Sequence, residues 1–148
     1  MNIEHIDHVG IRITHRQAAI DFYACLGFAV EHEVDFDAVV ILKNAAGVEL
    51  NLICNGVATE HGGNRLMDEP TKWPGVTHVA LRVPDMAHTQ RVLAQHGIAI
   101  TQGPVTFGDG HVSVFVRDPD RNVVELRARM PADAARRIEG LTFYDPKA

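Results

Sequence analysis

Two histidines head nearly identical apolar runs, His8 in HVGIRI and His78 in HVALRV, and Glu125 sits inside VVELRAR between Val124 and Leu126. Imidazoles and carboxylates hold divalent first-row metals, and two histidines with one carboxylate leave coordination positions open for a substrate. Such a set suits Fe, and equally Mn, Ni, Co or Zn. An unpaired carboxylate between two aliphatic neighbours in mid-strand costs on the order of several kcal/mol to desolvate, so Glu125 needs a partner. A divalent ion beside two imidazoles is a good one. Taken singly, each histidine reads as readily as a satisfied polar residue; the repetition is what argues for a shared role.

The repeat has an offset of 70 residues, from His8 to His78, and it continues past the histidines. Val9 falls on Val79, Ile11 on Leu81, Arg12 on Arg82, and Gly27-Phe28-Ala29-Val30 on Gly97-Ile98-Ala99-Ile100. HVGIRI alternates polar and apolar residues with the period of a half-buried strand. Thr14 with Gln17 reads as an N-cap pair for a helix with apolar positions at Ile20, Tyr23 and Leu26, stopped by Gly27. FAVEHEVDF, DAVVILK and VELNLIC then read as strands, the last two joined by the turn Asn44-Ala45-Ala46-Gly47. The second half repeats this order: HVALRV, a helix from about Asp85 to His96, then IAITQGPV, HVSVFVR and VVELRAR, with a turn at Asp118-Pro119-Asp120-Arg121-Asn122.

The expected fold is α+β, with two βαβββ modules forming a curved, half-open barrel-like mixed sheet and helices outside. His8 and His78 then occupy equivalent places on the concave side. One domain is expected over residues 1–130, with module 1 at about 5–55, a connecting loop at 56–75 and module 2 at about 76–130. Loops of that length in a compact domain are usually functional. Residues 131–148 read as a short helix around ADAARRIEG and a tail.

A chain of 148 residues, 46% hydrophobic, is long enough to bury a core. With a net charge of −5 and no basic stripe it lacks the footprint of a nucleic-acid binder. No run approaches the ~18 apolar residues of a membrane helix. MNIEHIDHVG has neither the basic nor the apolar region of a secretory signal, which points to a soluble, cytoplasmic protein. Cys25 and Cys54 read as small core residues, not as a disulfide or a metal pair.

From His8 to Arg129 the chain resembles the vicinal oxygen chelate superfamily, which includes glyoxalase I, extradiol dioxygenases, fosfomycin-resistance enzymes, methylmalonyl-CoA epimerase and metal-free bleomycin-binding proteins. The resemblance is carried by His8-Val9-Gly10-Ile11-Arg12, by Asp21-Phe22-Tyr23 followed by Leu26-Gly27-Phe28, by His78-Val79-Ala80-Leu81-Arg82, and by Asp118-Pro119-Asp120 with Glu125-Leu126. It implies paired modules around one divalent metal with His8, His78 and Glu125 as ligands, a small-molecule substrate and a homodimer.

The fourth corner of that site has two candidates. Aligning the turns makes Asn51 the counterpart of Glu125; aligning the Val-Glu-Leu triplets makes it Glu49. The two lie roughly 6 to 7 Å apart on one strand face, so only one can reach the ion. Glyoxalase I-like enzymes place there a carboxylate that removes the proton next to a carbonyl, which would make Glu49 both ligand and base beside Glu125. Extradiol enzymes manage with the triad alone, but Phe115 and Thr106 stand where they carry a Tyr and a general-acid His, and His111 is wrongly spaced. Arg12 matches a position that binds a glutathione carboxylate, and Asn55 a further contact if Asn51 is the corner. Arg82 is the repeat's equivalent of Arg12; both arginines read equally as rim residues that keep the protein soluble. Arg121 replaces the usual glycine of the final turn. The resulting expectation is a metal-dependent lyase or isomerase of the glyoxalase type, acting on a small carbonyl or carboxylate substrate. The alternatives are an Fe(II) dioxygenase and a metal-free module that sequesters an antibiotic or aromatic ligand.

Overall fold

The computed structural model describes residues 1–34 and 38–145. Asp35, Phe36 and Asp37, where two of the expected strands end and begin, lie outside the described residues, as do Pro146, Lys147 and Ala148 of the expected tail. The chain forms two compact units, Met1–Pro74 with Asp118–Asn122, and Gly75–Arg117 with Val123–Ala148.

The first unit contains β1 (Val9–Arg12), α1 (Arg16–Cys25), β2 (Phe28–Val34), β3 (Val39–Asn44) and β4 (Glu49–Ile53). Its sheet has the order β1-β4-β3-β2, with β1 parallel to β4 and the other pairs antiparallel. The second contains β5 (His78–Arg82), α2 (Met86–Gln95), β6 (Ile100–Thr106), β7 (His111–Arg117), β8 (Val123–Arg129), α3 (Ala134–Arg137) and β9 (Thr142–Phe143). Here the order is β5-β8-β7-β6-β9, with β5 parallel to β8 and β9 parallel to β6. Each repeat is thus a βαβββ unit with its own mixed sheet, and the α+β class read from the sequence is the one observed.

Strand alternation fixes what each sheet face carries. Leu50 and Leu52 of β4 are fully buried, as are Val40 and Leu42 of β3, while Glu49, Asn51 and Ile53 point to the other face. Val112, Val114 and Val116 of β7 are buried on one face, and Ser113 is buried on the other. Full burial of such a side chain is worth about 1.5–3 kcal/mol. A slip of one residue would exchange Leu50 and Leu52 for Glu49 and Asn51, so the register that positions the polar residues is locked by the apolar ones.

At the helix starts the structure shows one cap that was not anticipated and overturns one that was. Asp85 caps α2, its carboxylate accepting from His88 N at 2.7 Å. Thr14 does not cap α1: its N and Oγ1 both donate to the Asp120 carboxylate, at 2.9 and 2.5 Å, and His15 is the cap residue without a side-chain bond. A carboxylate brought in by the turn outcompetes the local cap. The buried face of α1 is Ala19 and Tyr23, whereas Ile20 and Leu26 are only half-buried.

The turn at 118–122 is bound throughout the first unit. Tyr23, 0% exposed, donates its hydroxyl to Asp118 Oδ2 at 3.1 Å, and Asn122 N donates to Asp118 Oδ1 at 2.7 Å. Burial pushes the Asp118 carboxyl above its ordinary range and the Tyr23 phenol well above its own. Arg121 adopts φ +61, the left-handed region where glycine is usual, and its guanidinium forks onto Asp68 at 2.6 and 3.0 Å. The 56–75 loop has no helix or strand but is internally bonded: Asn64 Oδ1 accepts from Leu66 N and Met67 N, and Asn64 Nδ2 donates to Asn122 Oδ1 at 3.0 Å. Cys25 and Cys54 are free thiols, as expected, but partly exposed and not in the core. No helix among the described residues is long and apolar enough to cross a membrane.

Candidate functional site

In the second unit β5 and β8 run side by side, with His78 opposite Val123 and Ala80 opposite Glu125. His78 Nε2 lies 3.2 Å from Glu125 Oε2. Its Nδ1 lies 2.9 Å from Thr77 Oγ1, and Phe115 packs edge-on against the ring. The Thr77 hydroxyl can donate or accept, so it serves either tautomer: one in which Nε2–H donates to Glu125, and one in which Nε2 presents a lone pair. Glu125 is only 6% exposed, yet its carboxylate is satisfied. Oε1 accepts from Ser113 Oγ at 2.5 Å and from Arg127 Nη1 at 3.4 Å. Arg127 Nη1 also donates to Ser113 Oγ at 3.0 Å, and its Nη2 pairs with Asp109. The cationic partner demanded by a buried carboxylate is therefore supplied in part by Arg127.

In the first unit the parallel register of β1 and β4 brings His8 beside Glu49: Asp7, His8 and Glu49 each offer a ligand atom within 4.8 Å of the others. His8 Nδ1 donates to Asp7 Oδ1 at 2.8 Å, and this bond holds the Asp7 carboxyl below its usual range. In the neutral ring this bond leaves the lone pair on Nε2. Asp7 and Thr77 are related by the same repeat as the histidines, so each imidazole is oriented by the residue before it. Glu49 Oε2 lies 3.5 Å from Lys43 Nζ, which also pairs with Glu31. Arg12 Nε donates to Asn55 Oδ1 at 3.1 Å, so two residues singled out as substrate contacts meet. Arg82 is exposed on β5, opposite Arg127.

The pairing registers identify the counterpart of Glu125 in the first unit. Gly10 and Ala80 are equivalent in the repeat; Gly10 pairs with Asn51, and Ala80 with Glu125. Asn51 is therefore the structural counterpart of Glu125, and Glu49 that of Val123. Asn51 Oδ1 is buried and has no hydrogen-bond partner among the described residues. The surroundings differ in the same sense. Ser113 pairs with Arg127 beside Glu125, whereas the equivalent pair beside Asn51 is Val39 with Ile53.

Residues 5–126 match the Glyoxalase/Bleomycin resistance protein/Dioxygenase superfamily. The chain belongs to this superfamily. The glyoxalase domain-containing protein RDO1 of Mycosarcoma maydis is 30% identical over 136 residues, spanning 89% of this chain and 72% of the relative. Among solved structures, a glyoxalase family protein from Enterococcus faecalis is similar with a TM-score of 0.66 and 26% identity, covering 86% of this chain and 99% of the other. A glyoxalase/dioxygenase from Nostoc punctiforme has a TM-score of 0.67 at 20% identity, covering 86% and 92%, a likeness of fold.

Members of the superfamily typically bind a divalent metal, and the donors present fit one. Two ligands about 2.1 Å from one ion, at tetrahedral or octahedral angles, stand roughly 3.0 to 3.4 Å apart. The 3.2 Å between His78 Nε2 and Glu125 Oε2 falls inside that interval. Ser113, Arg127, Asp7 and Thr77 escaped the sequence reading, though each left a trace. Ser113 is the small polar residue among the valines of HVSVFVR, Arg127 lies two beyond Glu125 on the same face, and Asp7 and Thr77 share the histidines' own spacing.

Proposed function

We propose that this protein is a divalent-metal-dependent enzyme of the glyoxalase type that moves a proton next to the carbonyl of a small substrate bearing two neighbouring oxygens. The observation that carries this reading is the histidine–carboxylate pair present in each unit, His78 with Glu125 and His8 with Glu49. In this reading His8, His78 and Glu125 hold the ion, and Glu49 is the base. When bound, the ion supplies Lewis acidity to the substrate's oxygens. The Glu49 carboxylate takes the proton from the hydroxyl-bearing carbon and returns it to the adjacent carbonyl carbon, while the hydroxyl proton passes from one substrate oxygen to the other; this requires approach to about 2.6–3.2 Å. Arg12, braced by Asn55, binds a carboxylate of the substrate through charge-assisted bonds, and Arg82 extends the same role. The homodimer typical of such enzymes is part of the proposal.

A second reading is favoured by Asn51. With an amide at the counterpart of Glu125, the carboxylate content drops to one, which is the two-His, one-carboxylate set of Fe(II) oxygenases. Phe115 and Thr106 supply neither acid nor base to that chemistry. The deciding experiment compares exchange of a substrate C–H with solvent deuterium against oxygen uptake, using hemithioacetals, hydroxy-carbonyl compounds and catechols. Exchange that disappears in Glu49→Gln supports proton transfer. Oxygen uptake with catechols, without exchange, supports the oxygenase and removes Glu49 from the mechanism. A chain that takes up no divalent ion when one is supplied belongs with the metal-free binding modules.

A further inference from the structure

We propose that Ser113 and Arg127 are positioning residues that occupy one oxygen of Glu125 and so make it a one-oxygen ligand, presenting only Oε2 to a metal; this rests on the metal-dependent reading above. The two carboxylate oxygens have different surroundings. Oε1 accepts from Ser113 Oγ at 2.5 Å and from Arg127 Nη1 at 3.4 Å, while Oε2 faces His78 Nε2 at 3.2 Å. Ser113 is fully buried, and its hydroxyl is held from both sides: it accepts from Arg127 Nη1 at 3.0 Å, which turns its own proton onto Glu125. Arg127 is in turn held by Asp109, so the guanidinium spans two carboxylates and its charge is shared between them.

The first unit serves as an internal control. At the counterpart of Glu125 it has Asn51, and at the counterparts of Ser113 and Arg127 it has Val39 and Ile53. Where the carboxylate is absent both of its supports are absent, and the amide oxygen there is left without a partner among the described residues. If Ser113 and Arg127 were general sheet-stabilising residues, nothing would tie them to the carboxylate. Their joint occurrence with Glu125 assigns them to it. Hydrogen-bonded supports of this kind typically alter metal affinity by about 10–100-fold.

The test is titration of the purified, metal-stripped full chain with Co(II), read by its d–d absorption. Ser113→Ala and Arg127→Gln are expected to weaken Co(II) binding by about 10–100-fold and to shift the absorption bands, because freeing Oε1 changes the ligand field. Tyr23→Phe in the first unit is expected to lose stability and to leave both affinity and spectrum at wild-type values. Should Ser113→Ala not fold, Arg127→Gln, whose side chain lies partly in solvent, decides alone. Wild-type affinity and spectrum in the Ser113 and Arg127 variants would overturn the inference while leaving the metal reading intact. A wild-type chain that binds no Co(II) would overturn both.

Discussion

Replacing Tyr23 by Phe removes a single oxygen from a site where nothing can take its place. The phenol is 0% exposed and its acceptor, Asp118, is 3% exposed, so water does not substitute for the lost donor. A hydrogen bond to a charged group contributes about 1.5–3 kcal/mol. Asp118 keeps the bonds from Asn122 N and Nδ2, at 2.7 and 2.9 Å, which places the expected loss near the middle of that range. About 2 kcal/mol corresponds to a fall in melting temperature of roughly 4–8 °C for a chain of this size. The loss should depend on pH in a definite direction. Burial raises the Asp118 carboxyl above its unfolded value of 3.8, so between the two values the native chain binds a proton that the unfolded chain lacks. For this group, stability rises as pH falls through the raised folded value. The bond from Tyr23 matters most while the carboxylate is charged, so the Tyr23→Phe penalty should be largest at pH 7 and shrink on acidification through that window. Urea unfolding followed by circular dichroism at pH 7 and pH 4, with amide exchange across α1, measures it. A penalty below about 0.5 kcal/mol, well under the range for a bond to a charged group, would refute the reasoning, as would one equal at both pH values.

Asn51→Leu removes a buried amide oxygen that has no partner among the described residues; it should raise stability by about 1 kcal/mol in thermal unfolding and lower turnover at least tenfold, and a destabilised variant would mean the amide is already satisfied. Gly103→Ala should cost at least about 2 kcal/mol, because a Cβ there meets Ser113 O at 2.5 Å and the residue sits at φ +90; amide exchange across β6 and β7 would report the disruption, and unchanged protection would contradict it. Asp85→Ala should lower the melting temperature at neutral pH. The Asp85 carboxyl is held below its usual range first by the backbone bond from His88, so its stabilising effect is present above the unfolded value and is lost as pH falls through the lowered folded one. Melting curves of the two chains should therefore converge in strong acid.

The repeat was legible because both copies keep the residues that face each way along a strand. The offset that pairs His8 with His78 also pairs β1 with β5 and α1 with α2. The cap of α2 is local, Asp85 accepting from the backbone three residues on, although from the sequence Asp85 is only the approximate start of that helix. The bonding of Thr14 is not local, since its acceptor, Asp120, is 106 residues distant and no local rule reveals it. Which of Glu49 and Asn51 is the counterpart of Glu125 was undecidable for a related reason: two alignments fit equally well, and only the hydrogen-bonded registers of β1 on β4 and β5 on β8 distinguish them. Glu125, set between Val124 and Leu126, is a carboxylate in need of a partner, and a metal is not the only group that meets the need. Arg127, two residues on and on the same strand face, meets part of that need by an ordinary ion pair. Arg121 in a left-handed turn is tolerated where glycine is expected, and there its side chain reaches Asp68.

A chain built from a doubled segment invites the idea that either half could be released to live alone. The turn from Asp118 to Asn122 argues against it, since it is written in the later half of the gene yet completes the earlier half's fold. A fragment ending at Pro74 would inherit Tyr23 and Thr14 without the carboxylates that receive their hydroxyls. The first unit is therefore complete only once the chain extends as far as Asn122.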